Sequence, residues 1–202
     1  VAIGNDPAVR AQIQEVFRGL GYTDQQELKS KIRVEAGGVN ADFDQPPQLL
    51  CMNAAKTSAI VVQADRYWLQ TTHYLDFEAF KSAFLNGLLA LHETVKLDYV
   101  DAVSMRMLDA IVPKQNETLQ QYLPSTLLGL DDWADKRNWR LLHQSTEHVF
   151  MTDKHRVVFR CVRRPDEISF PPDSLPIGME LLDRHKEINA AHAVLDTDAA
   201  LE

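Results

Sequence analysis

Between Thr57 and Pro113 the spacing of apolar residues changes period twice, and the elements it predicts set the frame for the rest of the chain. Ala59-Ile60-Val61-Val62-Gln63 is a compact β-branched run, Ala64-Asp65-Arg66 interrupts it, and Tyr67 to Tyr74 resumes it with aromatic and threonine residues suited to a pleated surface. That is a hairpin pattern. Asp76 follows at a position where a carboxylate can accept from the first free N–H groups of a helix. Behind it Phe77, Phe80, Phe84, Leu88 and Leu91 recur at steps of three and four, one apolar stripe that needs a sheet to lie on. From Lys96 to Val112 the period returns to two, with Tyr99, Val103, Met105 and Met107 on one parity and Val100, Ala102, Arg106, Leu108 and Ala110 on the other. This predicts a long strand buried on one face and partly covered on the second, stopped by Pro113.

The flanking pattern extends the same plan. Pro7 to Leu20 is an amphipathic helix, with Asp6 as cap, Pro7 at the first helical position and Val9, Ile13, Val16, Phe17 and Leu20 as its stripe; Gly19 and Gly21 end it. Glu27 to Ala36 alternates Leu28, Ser30, Ile32 and Val34 with charged residues, a strand with one wet face. Gly37 to Pro47 is expected to be a loop, and Leu49 to Asn53 a strand leading into the hairpin. After Pro113 come one short helix around Leu119 to Leu123, then a second hairpin from Arg137 to Met151 and His155 to Val162 with Thr152-Asp153-Lys154 at its tip. Pro165 to Pro176 is expected to be a loop, with weaker strands at Gly178 to Asp183 and Ala190 to Leu195. The fold class is α+β: an extended antiparallel sheet with helices packed mainly on one face. It is read as a single domain over residues 1–202, with a coarse echo of two similar halves, about 1–113 and 114–202, sharing one sheet.

Several of these stretches resemble a family. The run Ala59 to Arg66, then Phe77-Glu78-Ala79-Phe80-Lys81-Ser82-Ala83-Phe84, then Ser104 to Pro113, is similar to segments of a sporadically distributed family of prokaryotic proteins of unknown function. That family shows a valine-glutamine-x-aspartate-arginine hairpin, a tyrosine-x-x-phenylalanine helix and an arginine-x-x-tyrosine-x-asparagine strand ending near a proline. Leu119-Gln120-Gln121-Tyr122-Leu123 resembles its next segment, and Ala193 to Asp198 its late leucine-aspartate-x-aspartate strand, so the likeness runs from about Leu49 to Asp198. Leu108 and Asp109 depart from it, standing where the family favours an aromatic and an asparagine. The family continues past the position of Glu202 into a helix, so the resemblance implies a fragment or a shorter branch. It carries no activity. It implies an α+β fold, a bacterial or archaeal source, and a distribution seen for defence and mobile-element genes.

Composition narrows the class. A 45% hydrophobic and 25% charged chain of 202 residues can bury a substantial core and is not a disordered one. No apolar run approaches bilayer length, and Val1 to Asp6 lack the basic start and apolar centre of an export signal, although the chain opens on Val1 rather than Met. Cys51 and Cys161, far apart and within strand-like runs, read as small buried hydrophobes in a reducing, cytoplasmic setting. The formal net charge of −8 disfavours a general nucleic-acid binder. The balance is uneven, however: Lys136 to Arg164 holds eight basic residues against two acidic ones, so this segment is +6 and the remainder −14.

The candidate chemistry is sparse. Asp196 and Asp198 sit at strand spacing on one parity, as carboxylates do when they hold a divalent ion for phosphoryl or nucleotidyl transfer, yet the Gly-Ser loop of such enzymes is absent. The plainer reading is a pair of solvated acids. His143 and His148 are five apart, which sends them to opposite strand faces, and no other spacing suggests zinc. Gly-x-Ser-x-Gly, Walker and Gly-x-Gly-x-x-Gly patterns are missing, so no cofactor is expected and no catalytic residue is assigned. The sharpest feature is the basic hairpin: Arg156, Arg160 and Arg164 share a parity at spacings of roughly 13 Å, with Arg140 and Trp139 placed in its partner strand, a geometry suited to phosphates and a stacked base. Against it, arginines in an acidic protein commonly pair with acids on their own sheet. Trp68 and Tyr74 read as core or dimer-contact residues.

Three functions follow in order. The first is a non-enzymatic cytoplasmic protein-interaction module whose hairpin face or sheet edge binds a protein partner or a second copy. The second is RNA or single-stranded DNA binding through Trp139, Arg140, Arg156, Arg160 and Arg164. The third is a metal-dependent nucleotidyl or phosphoryl enzyme using Asp196 and Asp198, and no membrane association is expected.

Overall fold

The computed structural model describes residues 6–28, 31–36, 39–44, 48–130, 133–134, 136–164, 170–171, 176, 178–186 and 191–201, with backbone alone for 31–36, 39–44 and 184. The chain is α+β and divides into two compact units, Val1–Asp98 with Pro176–Leu181, and Tyr99–Leu175 with Leu182–Glu202. Each unit has its own four-stranded antiparallel sheet. The division therefore falls near residue 98 rather than 113, because the long strand after the central helix pairs with later strands and not with the hairpin before it.

In the first unit helix α1 (Pro7–Gly19) starts as the residues dictate: Asp6 Oδ1 accepts from the Ala8 N–H at 2.8 Å and Pro7 opens the helix. Strands β1 (Asp24–Leu28), β4 (Gln48–Met52), β5 (Ser58–Val62) and β6 (Tyr67–Thr71) form the sheet in the order β1-β4-β5-β6. Between β1 and β4 lies a separate two-stranded ribbon, β2 (Lys31–Ala36) and β3 (Val39–Asp44). The expected single strand Glu27 to Ala36 is thus two strands, and the expected loop after Gly37 contains β3. Its register sets Ala36 opposite Val39, Val34 opposite Ala41 and Ile32 opposite Phe43, so a period of two runs straight through the stretch that the glycines and prolines had marked as punctuation.

Helix α2 (Phe77–Val95) is capped by Asp76, whose Oδ1 accepts from Ala79 N–H at 2.8 Å. Its buried line runs Phe80, Ala83, Phe84, Gly87, Leu91 and Val95 rather than starting at Phe77, which is half exposed in the first turn. These residues pack with Ile13 and Phe17 of α1 on Leu49, Cys51, Ile60, Val62 and Leu69. The opposite parities, Leu50, Met52, Ala59 and Val61, form a second buried layer with Leu28, Trp68 and Met179. Both faces of β4 and β5 are covered, which is why their sequences run apolar without alternation. Residues 178–182, expected as a strand, lack strand pairing; Glu180 instead receives Thr72 Oγ1 on its carbonyl and donates its N–H to the Lys56 carbonyl.

In the second unit, strand β7 (Val103–Ile111), a 3-10 turn at Leu119–Gln121, the short helix α3 (Ser125–Leu128), β8 (Gln144–Met151), β9 (His155–Arg163) and β10 (Ala193–Leu201) follow in turn. The sheet order is β7-β10-β9-β8, so β10, of which only the first residues were expected as a strand, is an inner strand joining β7 to the β8–β9 hairpin. The predicted hairpin tip holds, with the Thr152 N–H donating to the His155 carbonyl at 2.8 Å. The strand before it begins at Gln144 rather than Arg137. Among the described residues no helix is long and apolar enough to cross a membrane.

Candidate functional site

Residues that alternate along a strand divide between the two faces of its sheet, and in the second unit the register fixes which candidates meet. Leu108, Asp196, Arg160 and Glu147 stand in one row across all four strands. Asp196 is 1% exposed, in the middle of strand β10, with Thr197 and Asp198 directly after it. A buried carboxylate needs counter-charge and hydrogen bonds, and it has both. Arg106 grips it two-pronged, Nε to Oδ1 at 2.8 Å and Nη2 to Oδ2 at 2.7 Å. Arg160 Nη1 donates to Oδ2 at 3.1 Å and uses its Nε for Glu147. The hydrogen bond that Arg160 donates to Glu147, with Asp196 behind it, raises the proton affinity of the Arg160 guanidinium above its ordinary value.

This arrangement changes the standing of two candidate sets. Both oxygens of Asp196 are occupied by guanidinium groups, and Asp198, on the same face, is half buried beside it, so the pair is not presented as metal ligands. Among the described residues, no group of three or more His, Cys, Asp or Glu side chains is placed to hold a metal ion. In the basic hairpin, Arg160 spends its charge on Asp196 and Glu147, and Arg140, Arg156 and Arg164 are also engaged within the chain. Trp139 and Arg140 do not lie in the partner strand at all. They precede β8, where the exposed Trp139 meets Trp133 edge to face at 4.8 Å and Arg137 lies over the Trp133 ring at 3.8 Å. Cys51 and Cys161 are buried and form no disulfide, and burial pushes the Cys51 thiol up to about 12.

The other face of the same sheet has two different ends. At one, Leu119, Leu123, Leu127 and Leu128 cover Ile111, Ala193, Leu195 and Cys161. Gln144 Nε2 and Thr146 Oγ1 fasten α3 there, both donating to the Leu127 carbonyl at 2.8 and 3.0 Å. At the other end lie three rows: Met107, Thr197, Phe159 and His148; Met105, Ala199, Val157 and Phe150; Val103, Leu201 and His155. No Asp, Glu, Lys or Arg stands in any of them. Val103 is 50% exposed, Met107 41%, Phe150 53% and Leu201 46%, on three of the four strands.

No family model matches the chain, no curated protein matches it, and a search of solved structures gives no match. Arg106 is a member of this network that the sequence did not single out. It carried a signal: a charge set beside the apolar Leu108 and Ala110 on its own strand parity requires a partner.

Proposed function

We propose that the chain is a non-enzymatic protein-interaction module that binds a protein partner, or another copy of itself, through the second unit's sheet. One observation supports this above the others: the end of the sheet without Asp, Glu, Lys or Arg, where Val103, Met107, Phe150 and Leu201 remain half exposed on three of the four strands. A sheet face of this kind gains most of its burial only when something is laid on it. Charged residues are depleted from the centres of protein interfaces, and these rows contain none. The prokaryotic source, cytoplasmic location and defence or mobile-element setting implied above belong to the same proposal.

The test is a Met107→Asp, Phe150→Asp double variant. The parent is expected to sediment as a concentration-dependent oligomer or to arrive with a stoichiometric partner from its native host, and the variant to lose that behaviour with its melting temperature unchanged. A parent that stays a lone monomer in both settings overturns the proposal. The nucleic-acid reading is weakened because Arg160 is neutralised from both sides. It returns only if a fluorescent oligonucleotide binds with steep salt dependence and Arg156→Glu abolishes the binding.

A further inference from the structure

The outer strand β8 has a property that docking on one sheet face does not account for. Val149 and Met151 point to the Asp196 face and Phe150 to the opposite one, yet all three are exposed, Val149 and Phe150 at 53% and Met151 at 68%. A partner lying on either face would cover one parity and leave the other. A strand added to the edge gives both parities a neighbour at once.

The backbone agrees. Thr152 bonds to His155 at the hairpin tip, and antiparallel pairs alternate, so Phe150, His148, Thr146 and Gln144 direct their N–H and C=O groups to β9. Those of Ser145, Glu147, Val149 and Met151 point outward, and among the described residues no strand pairs with them. The strand Gln-Ser-Thr-Glu-His-Val-Phe-Met holds no proline, glycine or lysine, the usual protections of an exposed edge. Its single charge, Glu147, is matched by Arg160.

We infer that β8 pairs antiparallel with the β8 of a second copy, joining two four-stranded sheets into one across a two-fold axis. This goes beyond the proposal above, because it names the partner and uses the strand edge rather than the face. The axis falls at His148. There all four outward-facing residues find partners, Ser145 opposite Met151 and Glu147 opposite Val149, with about eight main-chain hydrogen bonds. Glu147 then faces an apolar residue of the other copy and not its own equivalent. Charge favours a second copy over an unlike acidic or basic strand, since the edge presents neither sign once Glu147 is neutralised. The seam is one strand pair, roughly 27 Å long, so the buried area falls below the ~1,200 Å² of a stable interface and the dimer is weak.

The axis pair provides the test. Residues facing across it are a non-hydrogen-bonded pair with Cα atoms about 4.5 Å apart, within disulfide range. In the whole chain, His148→Cys is expected to cross-link to a covalent dimer under mild oxidation, while the parent, whose two thiols are buried, does not. Val149→Pro removes an outward N–H without touching a β8–β9 bond and is expected to hold the chain monomeric at concentrations where the parent dimerises, with an unchanged far-ultraviolet spectrum. If the parent dimerises, Met107→Asp breaks the dimer and His148→Cys fails to cross-link, the face reading survives and strand pairing is overturned. A parent that is monomeric throughout, or one that pairs only with an added foreign peptide, overturns the second copy as partner.

Discussion

Arg106 and Asp196 lie on adjacent strands in positions that are not directly opposite: the register sets Arg106 against Asp198 and Asp196 against Leu108. The guanidinium nevertheless reaches the buried acid one step along the same face and places two bonds on it. The choice follows from burial, because the acid farther from water has the greater need of counter-charge.

Removing that acid is expected to be costly. Asp196→Ala leaves two guanidinium groups beside a vanished partner, and a loss of about 3–5 kcal/mol is expected, read as a fall in the urea midpoint. Replacing the pair together, Arg106→Met with Asp196→Leu, should cost less than the single change, since only Arg160 then loses the acid and it keeps Glu147. A single change as mild as a surface substitution would mean that the network contributes nothing.

Gly87 poses a contest of opposite effects. Alanine in the interior of a helix is favoured over glycine by about 1 kcal/mol. A Cβ on Gly87 would, however, collide with the Tyr67 hydroxyl and come within 3.0 Å of Ile60 Cδ1. Tyr67 also donates to the Phe84 carbonyl at 3.0 Å, a bond that a displaced ring would lose. Gly87→Ala is therefore expected to destabilise by about 1–3 kcal/mol, and Tyr67→Phe in the same chain to recover part of the loss. Thermal melts of the three variants decide it.

Alkali should weaken the fold through Cys51. Its folded-state pKa is pushed from 9.0 to about 12 by burial, so the folded thiol holds its proton more tightly than the unfolded one. The stability tied to that proton is whole below about pH 9 and is lost as the pH climbs towards 12, at no more than about 1.4 kcal/mol per unit. Burial raises the Tyr67 pKa too, adding a loss of the same sign from a higher starting point. Urea midpoints are expected to fall across this window, more gently in Cys51→Ala, and Cys51 should resist alkylation until the chain unfolds.

The cap of α2 gives a smaller effect. Asp76→Ala removes the acceptor for Ala79 N–H and is expected to cost about 1 kcal/mol, while Asp76→Asn retains an acceptor and stays close to the parent. Equal melting temperatures for all three would show that the cap is not used in solution.

What could be read from the residues divides by range. Caps, helix stripes and the two hairpins were legible because Asp6, Asp76, Thr152 and their partners lie within a few positions of one another. Strand β3 was hidden by its own borders, the glycines and prolines outweighing the alternation of Val39, Ala41 and Phe43. Asp196 was misread for a different reason. It was read first as a solvated acid and is buried; its partners Arg106 and Arg160 are 90 and 36 positions away, so nothing local distinguished a buried, neutralised acid from a solvated one. Trp139 was placed in a strand because that strand was drawn from Arg137, whereas it begins at Gln144. The contact with Trp133 that holds it elsewhere depends on a turn the pattern does not mark.

Strand β10 joins β7 to β9 and is made after both. On the ribosome the second unit therefore emerges as two separated pieces of sheet, with their middle still to be synthesised. Formation of the unit must wait for a late, long-distance insertion, and until then Arg106 and Arg160 lack Asp196. A nascent chain in this condition would be a natural client for chaperones.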